Sequence, residues 1–263
     1  MTFSFAAGTF LAFMLALVRS TAWLSLAPPF SSPAVPKVVR LGLASGLALA
    51  VSSQYAGTTG LDRAAGLTSL SSGEFIADLV VQVATGCALG FITSLLLSVV
   101  SAAGAFTDLT SGLSAATTLD PVSGLSNPVT ANVYNVLMTT LLFATGGDLV
   151  IVKGFMTSFN AVGLTSKGVH ALGSTLISET GFFFEAALEM AAPVLGVMFL
   201  AYVALGLLTR SAPQLNVMSL GFALNIALAI VVVAACLPLM PGAVTTLVYR
   251  AVTDGLGVLG LRP

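Results

Sequence analysis

The stretch "GCALGFITSLLLSVVSAAGAFTDLTSGLSAATTLDP", Gly86 to Pro121, changes character part of the way along. It begins as an apolar, helix-forming run and becomes a polar segment, broken by Gly and Pro, that continues to Pro128. From Gly112 to Pro128 this segment carries one charge, Asp120, so it resembles neither a membrane-crossing helix nor a solvated loop. Broken polar backbone is tolerated at membrane depth where it is buried in protein or faces a pore.

The composition is that of a polytopic helical membrane protein. Of the 263 residues, 57% are hydrophobic and 7% are charged, and the mean hydropathy is +1.04. Soluble domains carry about 25% charged residues, which cover their surface. The net charge of −1 provides no basic surface, so we expect no nucleic acid partner.

Several apolar runs are long enough to cross a hydrocarbon core of about 30 Å, which takes about 20 helical residues. The six runs are Phe5–Leu26, Val38–Tyr55, Phe75–Ala102, Ala131–Val152, Phe182–Leu208 and Val217–Leu239. We therefore predict an all-α membrane protein with a single domain over residues 1–263. The first run should stay in the mature chain because no Lys or Arg precedes it. The tail after Pro241 is a weaker candidate for an amphipathic helix.

Small residues recur every four positions along the third run. Spacing by four places them on one helix stripe, where a neighbouring backbone approaches closely. The stripe serves either packing within the chain or docking against other subunits, and the spacing favours neither. A second small pair in the second run, Gly42 and Gly46, has the same two interpretations. The members of the stripe are Gly86, Gly90, Ser94, Ser98 and Ala102.

The charges inside the runs have simple explanations. Arg19 lies about two-thirds of the way along the first run, close enough to its end to reach the interface with its long side chain. Pairing with Asp78 is an alternative without support in the sequence. Glu185 and Glu189 are predicted to be interfacial residues in the first turns of the fifth run, as is Asp78 in the third. The other interpretation of the two glutamates is a cation or proton site.

The sequence lacks the residue patterns of common catalytic and metal sites. Cys87 and Cys236 each lie in an apolar run with no second cysteine nearby, which is typical of buried hydrophobic residues. His170 is the single histidine and lies in a Gly/Ser-rich link. HExxH, GxSxG and Walker motifs do not occur. We expect no enzyme activity, cofactor or metal.

Four stretches together resemble the FliR family, the R component of the flagellar type III export gate. "APPFSSPAVPKVVR", preceded by Arg19, is similar to the family's link between its first two helices, with Pro28 or Pro29, Pro36 and Arg40 matching. The opening stretch is similar to the family's Gly-rich helix with AG-x-x-x-D and a later Asp-Pro. "LLFATGGDLVIVKGFMTSF" is similar to the stretch that follows. The most specific match is LG-x-x-x-R-x-x-P-Q-x-N-x-x-x-x-G, carried by Leu205, Gly206, Arg210, Pro213, Gln214, Asn216 and Gly221.

The resemblance implies a subunit of a hetero-oligomeric helical gate, with helices arranged as broken hairpins. The expected location is the flagellar basal body in the bacterial inner membrane. The expected partners are the P and Q subunits (FliP-like and FliQ-like), the B component, membrane lipids and unfolded flagellar export substrates. Virulence secretion systems have a homologous component, and the signature leans towards the flagellar branch.

The resemblance also implies roles for particular residues. Arg210, Gln214 and Asn216 are expected to stabilise a helix hairpin and its subunit contacts. The segment Gly112–Pro128 is expected to form a plug or constriction loop inside the gate. Ala115 and Thr118 stand where relatives often have aromatic residues. The expected loop residues are Gly112, Ser114, Ala115, Thr118, Asp120, Pro121, Gly124, Asn127 and Pro128.

The alternative is a stand-alone secondary transporter of a small solute, with Glu185, Glu189 and Arg19 as coupling or substrate-binding groups. A transporter should function without partner subunits, whereas a gate subunit should require the P and Q subunits.

Overall fold

The computed structural model describes residues 2–54, 72–114, 128–161, 164, 172–211 and 217–259. These residues are helical apart from short links, and no strand occurs among them. The prediction of an all-α membrane protein is confirmed. The helices are α1 (Thr2–Leu26), α2 (Lys37–Gln54), α3 (Ser72–Ser111), α4 (Val129–Ala144), α5 (Gly147–Ala161), α6 (Leu172–Ser211), α7 (Val217–Cys236) and α8 (Met240–Val258), with a 3₁₀ turn at Leu237–Leu239.

Within the described residues, four stretches are long and apolar enough to cross a membrane. The pair α4 and α5 would be a fifth such stretch if the two helices are counted together as one broken span. The predicted run Val38–Tyr55 corresponds to α2, which is not among the four because its 18 residues are less apolar and include Lys37 and Arg40. The four stretches are Gly8–Leu26, Ser72–Ser111, Leu176–Ser211 and Gly221–Gly257.

The fourth predicted run, Ala131–Val152, is wrong as a continuous helix. It is divided between α4, which ends at Ala144, and α5, which begins at Gly147. Gly146 has φ +71°, a left-handed conformation that ends helices and suits glycine. Its N–H donates to the Phe143 carbonyl at 3.2 Å, which completes the last turn of α4.

α6 is longer than the apolar run Phe182–Leu208 that predicted it. Because α6 begins at Leu172, Glu185 and Glu189 lie well inside the helix, and their placement in its first turns is wrong. Both glutamates are exposed. At its other end α6 is described as far as Ser211, and Pro213 lies outside the described residues. The tail after Pro241 is helical, since α8 continues to Val258.

The chain divides into two compact units, and the predicted single domain stays a prediction. Unit 1 comprises Met1–Leu96, Asp148–Glu179 and Val248–Pro263. Unit 2 comprises Leu97–Gly147 and Thr180–Leu247.

In unit 1, α1 lies directly against α3 where glycines leave room. A Cβ added to Gly86 would lie 2.5 Å from the Arg19 carbonyl oxygen, and one added to Gly90 would lie 2.9 Å from Leu26 Cβ. Real Cβ atoms do not approach so closely, so this contact requires glycine. By contrast, added Cβ atoms at Gly42 and Gly46 would meet nothing within 4 Å among the described residues.

Aromatic rings fill the space between α1 and α5 in the same unit. Trp23 is buried and stacks on Phe155 with ring centroids 4.2 Å apart. Phe155 in turn meets Phe159 edge-on at 5.4 Å. Such ring pairs contribute about 0.5–1.5 kcal/mol beyond the area that they bury.

In unit 2, a small apolar cluster joins α6 to α7. Val194 and Met198 of α6 pack with Ala229 of α7, and all three are almost fully buried. Elsewhere these two helices carry large exposed apolar side chains, such as Phe199, Leu200 and Ile230. Apolar surface of this extent is covered by lipid or by another protein.

Candidate functional site

The base of the predicted plug loop lies in unit 2 and is described at both ends. Gly112 and Ser114 end the α3 side, and Pro128 precedes α4. The loop residues between them, Ala115, Thr118, Asp120, Pro121, Gly124 and Asn127, lie outside the described residues.

Asp108 of α3 caps the start of α4. Its Oδ1 and Oδ2 accept hydrogen bonds from the Thr130 N–H at 3.1 and 2.8 Å, and Oδ2 accepts another from the Ala131 N–H at 3.2 Å. The first N–H groups of a helix have no partner within it, and the residue at the cap position, Pro128, makes no side-chain cap. The Asp108 carboxylate is fully buried and also matches the positive end of the helix dipole.

Gly104 brings the same two helices into backbone contact. A Cβ added there would lie 2.6 Å from Ala131 Cα and 2.8 Å from the Ala131 nitrogen. Backbone atoms cannot move aside as a flexible side chain can. Gly104 therefore sets the distance at which Asp108, one turn further along α3, reaches the first turn of α4.

The start of the loop is held by α6 and α7. The Tyr202 hydroxyl donates to the Thr110 carbonyl at 2.7 Å. Gly112 has φ +82°, and a Cβ added to it would lie 3.2 Å from the ring of Phe222. The chain thus leaves α3 through a left-handed glycine that packs under an aromatic ring.

These contacts fix both ends of one polar segment within one unit. The Asp108 cap holds the exit of the loop, and Tyr202 with Phe222 holds its entry. Both ends of a loop of polar, mostly uncharged composition are thus in contact with neighbouring helices of the same unit. Among the described residues, no group of three His, Cys, Asp or Glu side chains is placed to hold a metal ion.

Arg19 lies at the centre of a polar network in unit 1. Its side chain is fully buried, so the prediction that it reaches the interface is wrong. Its Nε donates to Gln82 Oε1 at 2.6 Å, and its Nη1 donates to the Ser158 carbonyl at 3.3 Å. The guanidinium carbon also lies 4.3 Å from the centroid of the Phe159 ring. Buried charge is tolerated where such partners replace water.

Asp78 differs from its prediction in the same way. It is 2% exposed rather than interfacial, and no ion pair with Arg19 is present among the described residues. Its Oδ2 has no hydrogen-bond partner there.

Arg40 and Pro36 organise the link between α1 and α2. The Arg40 Nε donates to the Phe30 carbonyl at 3.1 Å, and its Nη2 donates to the Ser32 carbonyl at 3.3 Å. The Pro36 carbonyl accepts from the Arg40 N–H at 3.1 Å, which closes the first turn of α2. The two residues therefore fix a compact turn.

Arg210 lies in the last turn of α6 with an exposed side chain. It makes no ion pair with the described residues. Pro213, Gln214 and Asn216 lie outside the described residues. Of the predicted stripe on α3, Gly86 and Gly90 meet α1, whereas Ser94 and Ser98 are half-buried.

Several residues of these sites were not singled out from the sequence. Asp108 belongs to the AG-x-x-x-D pattern of the opening stretch, and its spacing from Gly104 was the available signal. Gln82 and Ser158 had no such signal, because polar residues in apolar runs do not reveal which charge they face. Tyr202 and Phe222 have the character of ordinary members of apolar helices.

Comparisons with known proteins agree on one family. The family described as "Bacterial export proteins, family 1" matches residues 10–251. The flagellar biosynthetic protein FliR of Escherichia coli (strain K12) is 31% identical, with 85% of this chain and 83% of the relative covered. FliR of Bacillus subtilis (strain 168) is 28% identical, over 87% of this chain and 86% of the relative. The surface presentation of antigens protein SpaR of Shigella flexneri is 28% identical, over 59% of this chain and 60% of the relative.

The fold and the matched residues define a helical membrane protein of the bacterial export class. Within that class the chain belongs to the FliR family. The recognition made from the four stretches is confirmed.

Proposed function

We propose that this chain is a channel-forming structural subunit of the flagellar type III export gate in the bacterial inner membrane. In that role it guides unfolded flagellar proteins across the membrane, and its polar loop acts as a plug. Membership of the FliR family and the names of its relatives support a membrane-embedded component of the flagellar export apparatus.

The observation that supports a plug is that both ends of the loop are held by contacts with neighbouring helices. Asp108 fixes the first turn of α4, and Tyr202 holds the carbonyl of Thr110 before the loop begins. A loop that must close a passage needs ends that do not move. Its uncharged polar composition suits backbone that faces a water-filled passage or is buried in protein.

The proposed partners are the P and Q subunits, with the B component and the export substrates. α6 and α7 carry exposed apolar side chains, which are typical of surfaces that bind other proteins. The exposed Arg210 at the end of α6 is available for contacts with another subunit. The stand-alone transporter gains no support from Arg19, since its guanidinium is buried against Gln82, Ser158 and Phe159.

The test of the plug is deletion of Ser114–Ser126 in the full chain, expressed with the P and Q subunits. We expect the subunits to copurify as in wild type, while cells or proteoliposomes become permeable to small ions. The matched control replaces the same segment by a Gly/Ser sequence of equal length, which keeps the connection. Wild-type ion permeability in the deletion would contradict the plug, and failure of the wild-type chain to copurify with the P and Q subunits would contradict the gate.

A further inference from the structure

Glu179 in unit 1 is a buried acidic residue that the proposed function leaves unused. It lies in the first turns of α6, and 5% of its side chain is exposed. Its Oε2 is buried and has no hydrogen-bond partner among the described residues. An ionised carboxylate that is removed from water without hydrogen bonds is strongly disfavoured, and such a group becomes neutral unless a cation compensates it.

The cation that faces Glu179 is the guanidinium of Arg250 on α8. Arg250 Nε lies 3.9 Å from Glu179 Oε2, which is too far for a hydrogen bond. The same Nε lies 2.9 Å from Oδ2 of Asp254, four residues further along α8. The two atoms of this second pair are close but are not aligned as a hydrogen bond. Arg250 therefore compensates Asp254 at shorter range than it compensates Glu179.

The three side chains carry one negative charge in excess when all of them are ionised. Among the described residues, Arg250 and Asp254 are the charged groups that act on Glu179, and both come from α8. Two carboxylates at one site repel each other, and a proton on one of them removes the repulsion. Asp254 is partly exposed and closer to Arg250, whereas Glu179 is buried. Glu179 is therefore the carboxylate that the proton neutralises.

From this arrangement we infer that Glu179 is a proton-binding site, and that loss of its proton changes the partner of Arg250. With the proton bound, Glu179 is neutral and Arg250 pairs with Asp254 within α8. With the proton released to solvent, the Glu179 carboxylate competes with Asp254 for the guanidinium and joins α6 to α8 by a charge-assisted contact. Arg250 and Asp254 are partly exposed, so water reaches the edge of the site. This inference does not depend on the proposed function.

The test is infrared spectroscopy of the full chain, purified with the subunits that copurify with it. A neutral carboxyl group has a C=O stretch that ionised carboxylates and amides lack. We expect this band in the wild type at neutral pH, and Glu179→Gln should lose the component that corresponds to one carboxyl group per chain. Glu185→Gln is the matched control, because Glu185 is an exposed glutamate of the same helix, and it should keep the whole band. Asp254→Asn should lose the component as well, since Arg250 is then no longer held by Asp254 and stabilises ionised Glu179.

A second measurement is loss of helical circular dichroism during titration with SDS in mixed micelles at neutral pH. Glutamine resembles a neutral carboxyl group in shape and charge, so Glu179→Gln should unfold at the wild-type SDS fraction. An unchanged neutral-carboxyl band in Glu179→Gln, or unfolding of this variant at a clearly lower SDS fraction, would overturn the proposal, because either result shows that Glu179 is ionised in the folded chain. A band that remains complete in Asp254→Asn would overturn the exchange of partners at Arg250.

Discussion

Asp108 and Thr130 are 22 residues apart, yet the Asp108 Oδ2 accepts a hydrogen bond from the Thr130 N–H at 2.8 Å. The intervening chain includes the whole of the predicted plug loop, Gly112–Pro128. One buried carboxylate therefore closes the loop at its base and caps the helix that follows it. The properties of the loop should depend on this contact more than on the residues at its tip.

Replacing Asp108 should weaken the start of α4. Asp108→Ala removes every acceptor and should destabilise the chain by about 1–3 kcal/mol, because it leaves the buried Thr130 N–H and the half-buried Ala131 N–H unpaired. Asp108→Asn retains one acceptor and should have a smaller effect. The measurement is loss of helical circular dichroism of the full chain during titration with SDS in mixed micelles.

The matched control for Asp108 is Asp148→Asn. Asp148 lies in the first turn of α5 and is half-buried. An acid at a helix start contributes about 0.3–1 kcal/mol through the dipole alone, so the control should unfold close to wild type. If Asp108→Ala unfolded at the same SDS fraction as wild type, the long-range cap would have no energetic role.

Gly104→Ala should disturb the same contact by steric means. The new Cβ would lie 2.6 Å from Ala131 Cα, so α3 and α4 would have to separate. Overpacking of this kind costs about 1–3 kcal/mol. Gly196→Ala is the control, because a Cβ there meets nothing within 4 Å and alanine favours the helix by about 0.5–1 kcal/mol. In the same SDS titration, Gly196→Ala should unfold at the highest SDS fraction, wild type at a lower one and Gly104→Ala at the lowest. If Gly104→Ala unfolded at the same SDS fraction as wild type, the close approach of α3 and α4 would be refuted.

The positions of most helices could be predicted from the sequence, because apolar length identifies a helix in a membrane. The exceptions have local causes. Gly146 breaks the run Ala131–Val152 through its left-handed backbone. The start of α6 at Leu172 lies in a more polar region that hydropathy alone does not distinguish from a loop.

The site was less predictable, because burial of a polar residue depends on which helix faces it. The length of the Arg19 side chain predicted that its charge would reach the membrane interface. Instead, Gln82 and Ser158, which are distant in the sequence, provide hydrogen-bond partners for it within unit 1. The pattern AG-x-x-x-D placed Gly104 and Asp108 one turn apart, but only the fold shows that both meet the start of α4.

Gln82 should stabilise Arg19 because its side-chain oxygen accepts a hydrogen bond, and not because of its size. Gln82→Leu leaves the Arg19 Nε without its partner at a fully buried position and should cost about 1.5–3 kcal/mol. Gln82→Glu keeps an acceptor and adds a charge opposite to that of Arg19. It should therefore unfold at the SDS fraction of wild type or at a higher one. SDS titration of both variants provides the comparison. Equal losses in the two variants would show that the size of the side chain, and not its acceptor, matters.

Arg210→Ala should affect assembly and leave the isolated chain unchanged. The Arg210 side chain is exposed at the end of α6 and has no ion pair among the described residues, so its removal leaves no buried group unpaired. As a contact to another subunit, however, an arginine contributes directional hydrogen bonds that alanine cannot replace. We expect SDS unfolding as in wild type, reduced copurification of the P and Q subunits, and reduced swarming of a complemented deletion strain.

Thr209→Ala is the neighbouring control, since the Thr209 hydroxyl donates a hydrogen bond to the Gly206 carbonyl of its own helix. Normal assembly and swarming with Arg210→Ala would remove this residue from the subunit interface.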